Sequence, residues 1–320
     1  MLTIDPATLL PTSEISEHGL PLDVRDRLTE IELREPDFNK FIALARGTRH
    51  AAGLSAATDG ELDRSLRQRE LRRPSGFADE LRAVLPGATG TWGALTLLRE
   101  RGRPPFSPAE IGFVASMATD LGNGLRRAML LHGDETDRTN AAGLIVLTAD
   151  DTVEIADHTG SRWLDDLATS RLPPSRLPIA VRSVADRTRA IAGGDPDGGP
   201  AEARVRTRSG KWVVVRGSAL GDGPQARVGI LIEPAGPAAM APLIADAYGL
   251  TERERLVTEL VARGFSTNEI AGRLHLSAYT VQDHLKSIFT KSGTASRGDL
   301  VARLFFDHYR PRLTTSRRTD

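Results

Sequence analysis

Two groups of residues have the types and spacing to do chemistry. The first is the acidic pair Asp150 and Asp151, which ends the apolar run GLIVLT at residues 143–148. Paired carboxylates at the end of a strand can hold Mg²⁺, which takes carboxylate and water oxygens, and phosphoacceptor sites are built on such a pair. That chemistry also needs an acceptor Asp ending a buried third strand, a hydroxyl residue after the fourth, and a Lys after the fifth to neutralise the phosphoryl oxygens. The only lysines in the chain are Lys40, Lys211, Lys286 and Lys291, and Lys211 precedes its strand WVVV rather than following one. Asp195, in RTRAIAGGDPDGG, ends no buried strand. The pair is therefore expected to be turn residues.

The second group lies near the C-terminus: Thr267, Asn268, Thr280, Gln282, Asp283, Lys286 and Lys291. Gln can pair with adenine through two hydrogen bonds, Asp can accept from the amino group of cytosine, and Lys can reach guanine or a phosphate. Thr267, Asn268 and Thr280 stand where helices should begin, and a helix N-terminus favours phosphate oxygens.

Start signals place four short helices under these residues. Thr251 with Glu254 reads as a capping box, followed by a buried stripe of Leu256, Val257, Leu260 and Val261, and Gly264 sits at a left-handed C-cap. Ser266 with Glu269 opens the second helix, with Ile270, Ala271 and Leu274 inward. Ser277 caps the third, with Val281, Leu285, Ile288 and Phe289 inward, and Ser296 with Asp299 opens the fourth. Only His275 and Leu276 separate the second helix from the third, and so short a turn sets two helices at a steep angle. Ala278, Gln282 and Lys286 then face outward, with Asp283 to one side. A helix of about 13 residues is roughly 20 Å long and fits a major groove. His284 is expected to pack on the inner shoulder. Phe305, Phe306 and Tyr309 suit either a dimer seam or closure of the bundle core.

The stretches LTERERLV, STNEIAGRLHLSAYTVQDHLKSIFTKSG and SRGDLVA resemble the LuxR-type helix-turn-helix over about 60 residues. The resemblance implies that the third helix enters the major groove with Gln282, Asp283 and Lys286 toward the bases. It also implies phosphate contacts from Thr280, Lys286 and Lys291, and a fourth helix that supports the bundle and a dimer contact. The family often has a basic residue where Gln282 stands. Residues 264–297 hold four basic and two acidic side chains. Non-specific affinity should be weak, with specificity resting on hydrogen bonds.

Over 320 residues the chain carries 42 basic and 42 acidic side chains, so no global field draws in nucleic acid. It has no cysteine, which excludes disulfides, thiolate chemistry and cysteine-ligated zinc. No apolar run approaches the roughly 20 residues that span a bilayer, and MLTIDPATLLPTSEISEHG lacks a basic n-region. A cytoplasmic protein without membrane contact is expected.

The fold class expected is multidomain: two α+β sensory domains followed by an all-α four-helix domain. In the first, residues 1–135, WGALTLLRE reads as a strand, GRPPF breaks it, and Ser107, Pro108 and Glu110 start a long helix. Ile111, Val114, Ala115, Ala118, Leu121 and Leu125 form its buried face. ELDRSLRQRELRR reads as an amphipathic helix with solvated arginines. The segment is similar to a GAF domain, most clearly from residue 76. The second, residues 140–236, opens with a strand pair around the acidic turn and closes with a hairpin at Ser209-Gly210 and a further strand, with helical pieces and the flexible loop GGDPDGGP between. It resembles a PAS domain over about 95 residues, an antiparallel sheet with helices on one side. A linker, EPAGPAAMAP, leads to the third domain at residues 243–310, and residues 311–320 read as a disordered tail.

His158 is expected to be a solvated or capping residue rather than a haem ligand, and Trp92, Trp163 and Trp212 to be core aromatics. The chain shows no phosphate loop, metal-ligand cluster or nucleophile-plus-base set, so neither a catalytic site nor a metal or other cofactor is expected. The reading is a sequence-specific transcriptional regulator that binds double-stranded DNA as a homodimer. Its sensory modules would control it, through a small-molecule ligand or a protein partner that the sequence leaves unnamed. The alternative is a sensory adaptor acting through protein contacts.

Overall fold

The computed structural model describes residues 1–15, 24–87, 90–131, 141–168, 177–195, 199–221, 223, 226–236, 239–240 and 248–306. Residues 237–238 and 241–242 of the linker expected at 233–242, the middle of GGDPDGGP, Tyr309 and the tail at 311–320 lie outside these residues, as do the side chains of Phe305 and Phe306. Residues 1–129, 139–208 and 213–234 form one compact unit, and 235–320 make up most of a second.

The first unit holds two five-stranded antiparallel sheets. Strands β1 (Leu2–Ile4), β2 (Pro11–Glu14), β3 (Ala51–Gly53), β4 (Phe77–Gly87) and β5 (Gly90–Glu100) form one, in the order β2-β1-β5-β4-β3. The long inner strand β4 is buried on both faces because each face is covered. Successive side chains along a strand point to opposite sides. Leu81 and Ala83 meet Ile111, Val114 and Ala115 of helix α4 (Pro108–Leu131) on one side. Val84, one register step on, packs with Ile4, Phe41 and Leu44 on the other, the last two from α2 (Phe41–Arg46). Helices α1 (Arg25–Arg34) and α3 (Leu54–Ala57) complete this part.

Helix α4 begins as expected: the Glu110 amide donates to Ser107 Oγ at 3.3 Å, and the Ser107 amide donates to Glu110 Oε2 at 2.8 Å. Leu121 departs from the expected face and is 41% exposed. Gly122 takes the inward position instead, since a Cβ there would lie 2.2 Å from the Pro86 carbonyl oxygen. The helix approaches the sheet too closely at that level for a leucine.

The arginines of ELDRSLRQRELRR are the larger correction. The segment is a 3₁₀ turn at Leu62–Arg64 and a π-helical turn at Gln68–Arg72, not a regular helix, and Arg67 and Arg72 are buried rather than solvated. Glu80, also buried, accepts from Arg67 Nε at 2.8 Å and Arg72 Nε at 3.0 Å, with Arg82 Nε 3.5 Å away. Asp37 lies 3.1 Å from Arg67 Nη1, and Glu32 accepts from Arg82 Nη1 at 2.7 Å. Burial alone would raise the Glu80 pKa, but the three guanidinium groups hold it far below the usual carboxylate range.

The second sheet has strands β6 (Gly143–Leu147), β7 (Val153–Ala156), β8 (Glu202–Arg206), β9 (Trp212–Leu220) and β10 (Arg227–Pro234), in the order β7-β6-β10-β9-β8. Helices α5 (His158–Leu167) and α6 (Ile179–Ala192) cover it, with Trp163, Val181 and Val184 packed against Ile145, Val213 and Ile230. All three tryptophans are buried. His158 is exposed at the first position of α5, after the N-cap Asp157.

Asp150 and Asp151 sit in the β6–β7 turn, with Asp151 left-handed at φ 60°. They diverge: Asp150 is exposed, while Asp151 accepts from Arg189 Nη1 at 2.6 Å and Arg34 Nη2 at 3.0 Å. Among the described residues no group of three or more His, Cys, Asp or Glu could hold a metal ion, and no helix is long and apolar enough to cross a membrane.

The N-terminal hairpin and α1 are sewn into the second sheet. Leu10 belongs to that sheet's core, Asp5 Oδ2 accepts the Arg204 amide at 2.7 Å, and Arg34 Nε donates to Asp186 Oδ1 at 2.7 Å.

The second unit contains helices α7 (Glu252–Ala262), α8 (Thr267–Leu274), α9 (Ala278–Ser292) and α10 (Arg297–Phe306). Thr251/Glu254 and Ser266/Glu269 form complete capping boxes, and Ser277 Oγ accepts the Thr280 amide at 3.0 Å. α7 ends in a Schellman motif: Gly264, at φ 87°, donates to the Val261 carbonyl at 2.9 Å and Phe265 donates to that of Leu260 at 3.0 Å. Leu256, expected inside, is 37% exposed. The inward positions of α7 are taken by Glu254 and Thr258 beside Val257 and Val261.

Candidate nucleic-acid interface

Helix α9 has two faces. Val281, Leu285, Ile288 and Ser292 are buried. On the opposite side Tyr279, Gln282, Asp283, Lys286 and Thr290 are all exposed, at the i, i+3, i+4, i+7 and i+11 spacing of a single helical stripe. His275 makes this possible. It adopts the left-handed conformation, φ 54° and ψ 45°, and ends α8, after which Leu276 donates to the Ala271 carbonyl at 2.9 Å. α9 can therefore start two residues later on a new axis.

The stripe offers an amide, a carboxylate, an ammonium and a phenol to one surface. Lys286 Nζ lies 3.5 Å from Asp283 Oδ1, both well exposed, and such a pair contributes little. The ammonium is free to swing to a base edge or a phosphate. Tyr279 is 71% exposed, and sequence reasoning missed it. The signal was present, because position 279 is three residues before Gln282 and so falls on the same stripe.

The other expected contact residues are placed differently. Asn268 is exposed in the first turn of α8. Thr267 is half-buried, and its hydroxyl accepts from Arg297 Nη1 at 3.3 Å. Thr280 is half-buried, its hydroxyl 2.8 Å from that of Ser277. Lys291 donates from Nζ to Glu254 Oε2 at 2.6 Å. Of the four basic residues between 264 and 297, Arg297 and Lys291 are thus engaged within the unit, and Arg273 stacks over the Phe265 ring at 4.0 Å. Lys286 is the cation that stands on the outward stripe of α9.

Glu254 was read from the sequence only as a cap, and it does more. Besides closing the box with Thr251, it accepts from Ser287 Oγ at 2.6 Å and from Lys291 at 2.6 Å, which ties the start of α7 to the last turns of α9. Burial pushes its pKa up, but the bonds from Lys291, Ser287 and Thr251 prevail and hold it at about 2, against an ordinary 4.5. A carboxylate depressed in the folded state stabilises fully above its unfolded pKa, and that contribution is lost as pH falls through the folded value. Helical content followed by circular dichroism is expected to fall between about pH 4.5 and 2. The contribution at neutral pH is on the order of 3 kcal/mol, and Glu254→Gln is expected to flatten the slope in that window.

Residues 249–304 match the family model described as bacterial regulatory proteins, luxR family. A 52-residue stretch is 50% identical to part of MT0914 of Mycobacterium tuberculosis, whose name describes an HTH-type transcriptional regulator, and 40% identical to part of the HTH-type transcriptional regulator MalT of Yersinia enterocolitica. Each match covers 16% of this chain and 6% of the relative, so the chain spans a small fraction of their length. Among solved structures, a complex of Vibrio cholerae VqmA with ligand and DNA is similar at 15% identity over 52% of this chain and 81% of that one, with a TM-score of 0.24. The E. coli DhaR(N)–DhaL complex is similar at 14% identity over 73% and 79%, with a TM-score of 0.22. The C-terminal part of the chain is a LuxR-type helix-turn-helix domain.

Proposed function

We propose that the protein is a sequence-specific DNA-binding transcriptional regulator in which α9 enters the major groove. Gln282, Asp283 and Lys286 meet base edges, while Asn268, at the start of α8, and Lys286 meet phosphates. Thr267 contributes chiefly through its backbone N–H at the start of α8, and Thr280 by fixing the start of α9 through its bonds to Ser277. Lys291 acts by holding α9 through Glu254. The observation that carries this is the continuous exposed polar stripe of α9, opposite its buried stripe, within the segment that matches the luxR family.

The proposal includes a homodimer on a near-palindromic site, with two recognition helices about one DNA turn apart. It also includes control by N-terminal sensory modules, GAF-like over residues 1–135 and PAS-like over 140–236, that regulate the DNA-binding segment at 243–310. Two antiparallel sheets, each running second-first-fifth-fourth-third in its own strand numbering, support the sensory reading.

Selection of fragments bound by the full chain from its own genome, at about 150 mM salt, tests the function. A single enriched motif with two related half-sites is expected. Uniform recovery of fragments would point to an adaptor that works through protein contacts.

A further inference from the structure

Helix α4 carries a second apolar stripe, on the side away from its sheet. Ile111, Val114 and Ala115 pack inward, while Phe113, Met117 and Leu121 stand outward at successive turns, 65%, 40% and 41% exposed. No other helix among the described residues exposes three large apolar side chains. A contiguous apolar row on a folded surface marks a place of contact.

Gly124, also exposed, continues the stripe by one turn, and nothing inside the molecule calls for a glycine there. A Cβ at position 124 would meet no atom within 4 Å, whereas one at Gly122 would run into the Pro86 carbonyl. Glycine weakens a helix interior, so its use at 124 is explained by what lies outside. It leaves a notch in the outer face, next to Leu121.

The charges along the stripe select the occupant. Glu110, Asp120 and Arg127 are all exposed on this side of α4. Two copies of the helix laid parallel would set each of these against its own kind, like charge on like. An antiparallel pair, with its two-fold axis between residues 118 and 119, sets Glu110 against the partner's Arg127 and Phe113 against the partner's Gly124. Two-fold symmetry repeats both contacts. Glu110 already accepts from Arg99 Nη2 at 2.7 Å, so the partner's Arg127 brings a second cation to it. Asp120 faces the partner's Met117, an acid against an apolar group, which limits the affinity.

We propose that α4 is a homodimer surface, on which two copies pair antiparallel with Phe113 of each seated over Gly124 of the other. This deepens the homodimer of the proposed function and rests on that part of it alone. From Glu110 to Arg127 the contact runs about 26 Å, shorter than a standard interface, and a Kd on the order of 10 μM is expected.

Sedimentation velocity of the full-length chain without DNA tests the pairing. The wild-type chain is expected to dimerise reversibly, and Phe113→Glu and Gly124→Lys each to dimerise at least ~10-fold more weakly when alone. Both positions are exposed, and circular dichroism checks that the fold persists. An equimolar mixture of the two variants is expected to dimerise again. It keeps one Phe113–Gly124 contact and replaces the other with a Glu–Lys pair. A wild-type chain still monomeric at ~100 μM, variants that dimerise as tightly as wild type, or a mixture no tighter than its components would overturn the proposal. Because the measurement contains no DNA, its failure would leave groove recognition standing, and the lack of an enriched motif would leave this surface standing.

Discussion

Replacing Glu80 with alanine is expected to unfold the N-terminal part of the chain, or bring it close to unfolding. Arg67, Arg72 and Glu80 are almost wholly removed from water, and both arginines share the one carboxylate. A buried ion pair adds little net stability when intact, because desolvation offsets the attraction. Removing one partner strands the other charge and costs about 3–5 kcal/mol, against a total stability of about 5–15 kcal/mol for an ordinary domain. Here Arg72 loses its carboxylate partner outright, while Arg67 keeps only Asp37, 3.1 Å from Nη1. Arg27→Ala is the matched control: Arg27 pairs with Glu30, Glu35 and Glu70, but its side chain is a third exposed, and a change below about 1 kcal/mol is expected. Urea denaturation read by tryptophan fluorescence separates the two. Trp92, Trp163 and Trp212 all lie outside the helix-turn-helix, so the signal reports the sheet-bearing part of the chain.

The other large effect is on DNA. The double variant Gln282→Ala/Lys286→Ala is expected to lose ~10²-fold or more in affinity for the selected motif, since a well-made base contact contributes about 1–3 kcal/mol of discrimination. Its affinity for unrelated DNA should fall much less, because only one phosphate-reaching cation per protomer is removed. Both side chains are exposed and make no contact with the buried stripe of α9, so the fold should persist. Fluorescence anisotropy on matched and scrambled duplexes gives both affinities. An equal loss on the matched and scrambled duplexes would mean that the stripe supplies charge rather than recognition.

The helix-turn-helix was the most legible part of the sequence because its signals are local. Thr251/Glu254, Ser266/Glu269 and Ser277 announce helix starts within four residues of themselves, and all three caps stand in the structure. What failed was whatever depended on a distant partner. Leu256 and Leu121 fit an apolar period, yet the period alone cannot say which edge of the stripe meets a neighbour. At Leu256 a buried Glu254 bound to Lys291 takes the space, and at Leu121 the close approach of Pro86 admits only Gly122. Arg67 and Arg72 looked solvated because Glu80 and Asp37, which bury them, lie outside their own segment. Asp151 was rightly read as a turn residue, but its arginine partners come from α1 and α6, far away in the chain.

The most direct test of groove recognition replaces single purines of the selected motif with their 7-deaza analogues, which lack the N7 acceptor of the major groove. Binding is then compared for the wild-type chain and Gln282→Ala in a double-mutant cycle. At one purine per half-site the analogue is expected to weaken wild-type binding by ~5-fold or more and to leave Gln282→Ala unaffected. If every substituted purine weakened both proteins equally, Gln282 would not read a base through the major groove and the placement of α9 would be wrong.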